Sequence, residues 1–450
     1  MTEQRSLAGS DVDWLGPTGT PGSLERLCSI SLRACQLMNP LIAAIYQQLV
    51  SSNQRDGKNA PEKSTVKKVK QDNSAFTIAD GMVQRLLIKV LFSQIKFRDI
   101  VGEEEEEHDE GKEKEDDNTD EWWSQVEGLT IPQELRPLVD STRSELESLA
   151  GEYLSPDNNN SGELCNHYYE RLTVFIDPID GTREFSSGKG EQCSVCIGFA
   201  DEHGKSVGGV VYRPLSLPKP TWVAGAKSER YAVCDFGEKQ IVSTNNDKDG
   251  IADGTFSADK MGGSLLSSNG SISPFVESLI EELKFERVKS GGAGNKMMML
   301  LENSISGNDV DGSMLYIQDR GVSRWDTCAA EAILESFGGK LMKLTHFVES
   351  KEEEEKRRKQ KDGEFYTYLA SQTNLDFIPG TANLTKYNCR ASPAIDLQPN
   401  QKALDVDRVK PYSNLCGLVA LGREWNTIEG TIHIKEAMRR AATRNPPSFD

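Results

Sequence analysis

A chain of 450 residues carrying 70 acidic and 52 basic side chains, net charge −18, can build two ordinary domains or one large bilobed one. That charge argues against nucleic-acid polymers and membrane surfaces as partners, since both need a cationic face. A small phosphorylated molecule remains compatible if a divalent cation inverts the field locally.

Residues 1–22 are rich in Gly, Pro and Ser and predict a flexible N-terminal segment without an apolar signal core. From Leu24 to about Val50 apolar residues recur at helical spacing, with a kink or break expected at Pro40. Thr77-x-x-Asp80 then opens an amphipathic helix in the manner of a capping box. Phe97–Val101 reads as a strand running into Gly102-Glu103-Glu104, and an acidic insertion follows at about 105–120. Further strands are expected at 172–176, 193–200, 207–213 and 230–234. Helices are expected at Pro274–Phe285, Gly294–Glu302 and Asp326–Phe337, the last closed by Gly338-Gly339. A second charged insertion occupies about 350–363. No run of about 18 apolar residues is present, which predicts no membrane span.

Nine scattered cysteines make a poor disulfide framework and suit a reducing, cytoplasmic setting. Cys193 and Cys196 have CxxC spacing on a strand, where residues three apart face opposite sides, so core packing is expected rather than zinc. The five histidines fit no ligand spacing.

The strongest chemical signal is Asp177-Pro-Ile-Asp-Gly-Thr182, read as a turn at the end of a buried strand. Two converging carboxylates repel unless a cation sits between them, and oxygen-only ligands suit a hard one such as Mg²⁺. An ordinary Asx-type strand-to-helix turn would explain one Asp and the Gly, but not two acids flanking Pro-Ile.

Thr77–Asp80, Gly102–Glu104, Asp177–Thr182 and Trp325-Asp326 occur in one order, and together they resemble the motifs of the inositol-monophosphatase-like superfamily. The resemblance implies an α/β fold, a layered αβαβα sandwich, bilobed with a central cleft. The expected lobes are 23–235, with the metal site, and 236–450, with a substrate-binding turn. It implies two or three Mg²⁺ ions held by Glu103, Asp177, the Ile179 carbonyl, Asp180 and Asp326. Thr182, with Glu103 or Asp80, would activate the attacking water, and Glu104 would support them. Gly181-Thr-Arg-Glu-Phe185 is more similar to the 3′(2′),5′-bisphosphate nucleotidases than to other branches. So is the glycine turn Gly291–Lys296, whose free N–H groups would suit a phosphate.

Substrate contacts are therefore expected from Gly292, Lys296, Ser267, Asp180, Gly181, Thr182 and Asp326. The implied reaction is Li⁺-sensitive hydrolysis of adenosine 3′,5′-bisphosphate to AMP, with 3′-phosphoadenosine 5′-phosphosulfate as a further substrate. Leu266-Ser267-Ser268-Asn269 departs from the nucleotidases' basic stretch, and the insertions resemble those of inositol polyphosphate 1-phosphatases. That activity is the alternative, and a catalytically silent acidic scaffold the third reading.

Overall fold

The computed structural model describes residues 16–55, 67–69, 75–104, 125–126, 129–155, 168–229, 231–236, 240–243, 263–306, 313–319, 322–349, 355, 368 and 417–447. The acidic insertion at 105–120 and nearly all of the charged one at 350–363 lie outside the described residues.

In chain order the main elements are α1 (Leu24–Arg55), β1 (Lys67–Val69), β2 (Ala75–Thr77), α2 (Ile78–Arg85), β3 (Asp99–Gly102), β4 (Gln125–Val126), β5 (Leu129–Thr130) and α3 (Arg136–Tyr153). Then come β6 (Thr173–Asp180), α4 (Thr182–Ser186), β7 (Ser194–Ala200), β8 (Ser206–Arg213), β9 (Thr221–Ala226), β10 (Tyr231–Asp235) and β11 (Gln240–Ser243). The remainder is β12 (Gly263–Ser267), α5 (Pro274–Leu283), β13 (Glu286–Lys289), α6 (Ala293–Ser306), β14 (Ser313–Gln318), α7 (Arg324–Ser336), β15 (Lys340–Lys343), α8 (Thr345–Val348), β16 (Leu418–Leu421) and α9 (Ile428–Arg444).

A seven-stranded sheet has the order β11-β10-β9-β8-β7-β6-β3, and a five-stranded sheet the order β13-β12-β14-β16-β15. Alternation along each strand decides what each face meets. On β6, Val174 and Ile176 face a core built with α1, α2 and α3. Phe175 between them faces a second core with Met297 and Leu301 of α6 and Ala329 and Ile333 of α7. Leu266 and Tyr316 of the second sheet close that core, while their neighbours Leu265 and Leu315 face α5, α8 and α9. The order of layers is thus αβαβα, as expected.

Cys193 and Cys196 fall into cores on opposite faces of the sheet, which excludes joint ligation. Pro40 does not break α1, which runs through it. By length and composition α1 is also long and apolar enough to cross a membrane, although polar residues interrupt its apolar run. Its apolar residues, Leu27, Ile30, Met38, Ile42 and Ile45 among them, lie in the first core.

The middle layer sits unusually close to the first sheet. Gly198 and Gly209 are directly opposite on β7 and β8. A Cβ on either would come within 2.5–2.6 Å of the Ala329 backbone. Only a glycine pair lets α7 approach this far, and that approach sets the position of Asp326 near the start of α7.

Candidate active site

Strand β6 extends further than the sequence suggests. Asp177 to Asp180 are its last four residues rather than a turn, and all are buried. Asp177 pairs with Cys196 and Asp180 with Ser194, with a register shift between them. An irregularity there accommodates Pro178, which has no N–H to give to a ladder. The chain reverses one residue later, at Gly181, with φ of 90°.

Parallel pairing of β3 with β6 sets Gly102 opposite Ile176. The next amide, Glu103 N–H, donates to the Ile176 carbonyl at 3.0 Å. Glu103 therefore lies alongside Asp177 although the two are far apart in sequence. Asp326 arrives from α7. One carboxylate oxygen from each of Asp177, Asp180 and Asp326 lies within 4.8 Å of the others. The Asp177 carboxyl also has those of Glu103 and Asp326 as close electrostatic neighbours, which repel its charged form.

Burial, then the neighbouring acids, raise the Asp177 and Glu103 carboxyls well above the usual carboxylate range. Asp326 is pushed up to about 6 by burial and by Asp180. The buried Oδ1 of Asp177 has no hydrogen-bond partner among the described residues. An orphaned buried oxygen among mutually repelling carboxylates, with no nitrogen or sulfur donor in the set, fits a hard divalent cation. Asp177, Asp180, Asp326 and Glu103 are the side chains placed to hold it.

Beside this cluster, α2 presents Asp80. Its Oδ2 accepts from the Thr77 amide at 2.8 Å and the Thr77 hydroxyl at 2.5 Å. The Thr182 hydroxyl lies 3.0 Å from both Asp80 Oδ1 and the Ile179 carbonyl, so it can donate to either. Burial, reinforced by Glu104, brings Asp80 up to about 7. That value suits a group exchanging protons near neutrality.

The glycine turn departs from expectation. The Ala293 N–H donates to Asp180 Oδ1 at 2.8 Å. The Gly294 and Asn295 N–H groups donate to Oδ2 at 2.8 and 3.4 Å. The N–H groups expected to be free for a phosphate are thus satisfied by the protein's own carboxylate, as any helix N-terminus requires. Gly292 adopts φ of +64°, and a Cβ there would lie 2.7 Å from Asp180 Oδ2. Lys296 is 3% exposed, with its Nζ over the Tyr316 ring at 5.0 Å. Burial lowers its pKa, while Asp180, Glu184 and Asp326 oppose that shift. It acts as a built-in counter-charge to the acids.

Ser267 is buried, and its hydroxyl accepts from Arg287 Nε at 2.8 Å. Sequence reasoning missed Ser194 and Gln192 among the surroundings. Ser194 donates to Asp180 Oδ2 at 2.8 Å. Asn269 donates to Glu184 Oε1 at 2.9 Å and to Gln192 Oε1 at 2.7 Å, beside the glycine turn. Nothing in the local sequence marks Ser194 or Gln192, whereas Asn269 ends the stretch that departs from the nucleotidases' basic one.

A family model described as the inositol monophosphatase family matches residues 146–371, half of the chain. The chain belongs to the inositol monophosphatase family. Similar curated relatives include mouse 3′(2′),5′-bisphosphate nucleotidase 1, 28% identical over 183 residues that cover 38% of this chain and 50% of the relative. Zebrafish inositol monophosphatase 3 is 27% identical over 177 residues, covering 39% and 45%. The chain thus spans about half the length of the curated relatives it matches. Among solved structures it is similar to CysQ from Bacteroides thetaiotaomicron, at 17% identity and a TM-score of 0.39, over 70% of this chain and 88% of that one. Within the family span lie Asp177, Asp180, Thr182 and Asp326, whereas Asp80 and Glu103 fall before it.

Proposed function

We propose that this family member is a Mg²⁺-dependent phosphomonoesterase that removes the 3′-phosphate of adenosine 3′,5′-bisphosphate, giving AMP and phosphate. The 5′-phosphosulfate analogue is a second substrate in the same reading, and a cytoplasmic setting belongs to it. The observation that carries the chemistry is the acid cluster converging within 4.8 Å beside the Thr182–Asp80 hydrogen bond. The nucleotide assignment draws on the names of relatives such as the mouse nucleotidase.

Bound between the acids, the cation would acidify water and neutralise charge on the phosphoryl and leaving oxygens. The chain's own groups do the rest. Thr182 orients the attacking water through its hydroxyl. Asp80, poised near neutrality, takes the proton that leaves as the new O–P bond forms. The ester oxygen departs and is protonated from solvent. Lys296 and the glycine turn hold Asp180 so that the cluster keeps its shape.

One observation favours a second reading, a phosphatase acting on inositol phosphates. Where the nucleotidase resemblance calls for a basic stretch, Asn269 sets its amide between the Glu184 carboxylate and the Gln192 carbonyl oxygen. Hydroxyl groups suit such a rim better than a second phosphate. Phosphate release from adenosine 3′,5′-bisphosphate and inositol 1,4-bisphosphate, with Mg²⁺ and with added Li⁺, decides between them. The nucleotidase reading expects roughly ten-fold higher kcat/KM for the nucleotide, a ΔΔG‡ of about 1.4 kcal/mol, and inhibition by Li⁺. A better inositol substrate overturns it, and no release from either points to a silent scaffold.

A further inference from the structure

Glu103 has the least secure attachment of the cluster acids, because it lies one residue past the end of β3. What steadies the loop after it comes from α2. Gln84 is buried, and its side-chain amide meets the Glu104 peptide group on both edges. Its Nε2 donates to the Glu104 carbonyl at 2.6 Å, and the Glu104 N–H donates to its Oε1 at 3.0 Å. Both bonds hold for one orientation of the amide only, since reversing it would set donor against donor. The amide also lies flush on Gly102, where a Cβ would come 2.2 Å from Gln84 Oε1.

Asp80 and Gln84 stand four residues apart on α2 and so share one face of it. From that face Asp80 reaches Thr182 and Gln84 reaches the Glu103–Glu104 loop. An apolar side chain would fill the same space but could not hold the Glu104 peptide group on both edges.

We propose that Gln84 is a positioning residue: its amide clamps the Glu104 peptide and so keeps the Glu103 carboxylate beside Asp177 for the cation. This rests on the acid cluster being the cation site. Partners that hold a ligand from behind typically contribute ten- to a hundred-fold to metal affinity. The loss should appear in cation binding and not in the binding of substrate to the loaded protein.

The test uses the full chain and Mg²⁺ alone, by calorimetric titration of wild type, Gln84→Met, Glu103→Gln and the double variant. Met keeps the volume of Gln and removes both hydrogen bonds. Gln84→Met should weaken Mg²⁺ binding by roughly ten-fold or more, with KM at saturating Mg²⁺ unchanged. Thermal unfolding in EDTA should come earlier, because the buried Glu104 N–H and carbonyl lose their Gln84 partners. In the Glu103→Gln background it should cause no further loss, because the clamp acts only through Glu103. Unchanged Mg²⁺ affinity in Gln84→Met, with Glu103→Gln weakened, refutes the clamp and leaves the cation site standing. Unchanged affinity in Glu103→Gln removes the cation reading and the clamp with it. If Gln84→Met does not fold, hydrogen exchange at the wild-type Glu104 amide decides, and fast exchange in the folded chain refutes the proposal.

Discussion

Asp177→Asn and Asp180→Asn are the same chemical change three residues apart, yet they should move the stability of the metal-free protein in opposite directions. Asp180 accepts from Ala293 N–H, Gly294 N–H and Ser194 Oγ, each at 2.8 Å, and from Asn295 N–H at 3.4 Å. An asparagine can keep its oxygen toward the three donors on Oδ2, but its NH₂ then faces the Ala293 N–H. One charge-assisted hydrogen bond, about 1.5–3 kcal/mol, is lost. The charge at the start of α6, about 0.3–1 kcal/mol, goes with it. Buried Lys296 also loses its nearest counter-ion. Relief of repulsion with Asp177 and Asp326 offsets part of this, leaving a net loss of about 2–3 kcal/mol.

Asp177 has the reverse environment. No donor reaches its Oδ1, and its close neighbours are the carboxyls of Glu103 and Asp326. An amide in its place cannot ionise against those acids and offers N–H to one of them, for a gain of about 1–3 kcal/mol. Denaturant unfolding in EDTA near neutral pH measures both. Saturating Mg²⁺ should then stabilise wild type by about 2.7 kcal/mol at a hundred times Kd and Asp177→Asn far less. Turnover in Asp177→Asn should fall by roughly three orders of magnitude, since that carboxylate lies at the centre of the acids placed to hold the cation. Equal shifts of the same sign in EDTA would refute the assignment of Asp180 to the helix and Asp177 to the cation.

Thr182→Ala should lower kcat by roughly a hundred-fold to a thousand-fold with Mg²⁺ affinity retained, and Thr182→Ser should restore most of it; steady-state kinetics and calorimetry read the two. Lys296→Met removes a buried cation beside the acids, so Mg²⁺ should bind several-fold tighter by calorimetry, while KM for the nucleotide at saturating Mg²⁺ changes little because Lys296 is buried over Tyr316. Glu331, buried with its carboxylate accepting from the Tyr368 hydroxyl, is raised by burial from 4.5 to about 8. The folded chain therefore holds a proton that the unfolded chain releases, so stability falls as pH rises from about 4.5 to about 8 and is level above. Glu331→Gln should match wild type near pH 4.5 and exceed it by about 2–5 kcal/mol at pH 8, and parallel unfolding curves at both pH values would refute this.

Local signals carried well from sequence to structure. The Thr77–Asp80 pattern marks a helix start with the expected reciprocal bond, and strand alternation sends Cys193 and Cys196 to opposite cores. The helix expected from Pro274 is also present, capped by Ser273, whose side chain accepts from the Val276 N–H. The acids expected to bind a cation do come together, although they lie on β6, on α7 and just past β3. What could not be read locally is what each side chain does after the elements meet. The glycine turn looks like a free anion site until Asp180, 113 residues earlier, is laid against it. Lys296 reads as a substrate contact until the fold buries it over Tyr316, beside the acids. Gln84 carries no motif at all, because its partner is a peptide group and any residue could supply one.

How a protein gathers this many acids before any cation arrives has a structural answer, which the sequence shows only in part. Three helices start at the cluster. Asp80 occupies the third position of α2 and accepts from the Thr77 N–H, and Asp326 does the same at the start of α7 from Ser323 N–H at 2.5 Å. Asp180, from outside α6, takes the N–H groups of its first turn. Each helix start carries roughly half a positive charge, so three of the acids rest on a fixed counter-field, and Lys296 adds a whole one nearby. Glu103 and Asp177 have no helix start of their own. Of the two, Asp177 is the more deeply buried and keeps an orphaned oxygen. The uncompensated charge of the metal-free cluster therefore collects at Asp177, the residue central to the group. A divalent cation gains most by binding there, because it replaces repulsion rather than an existing hydrogen bond. The same reasoning puts the largest loss of cation affinity at Asp177 and makes Asp180 serve the fold as much as the chemistry.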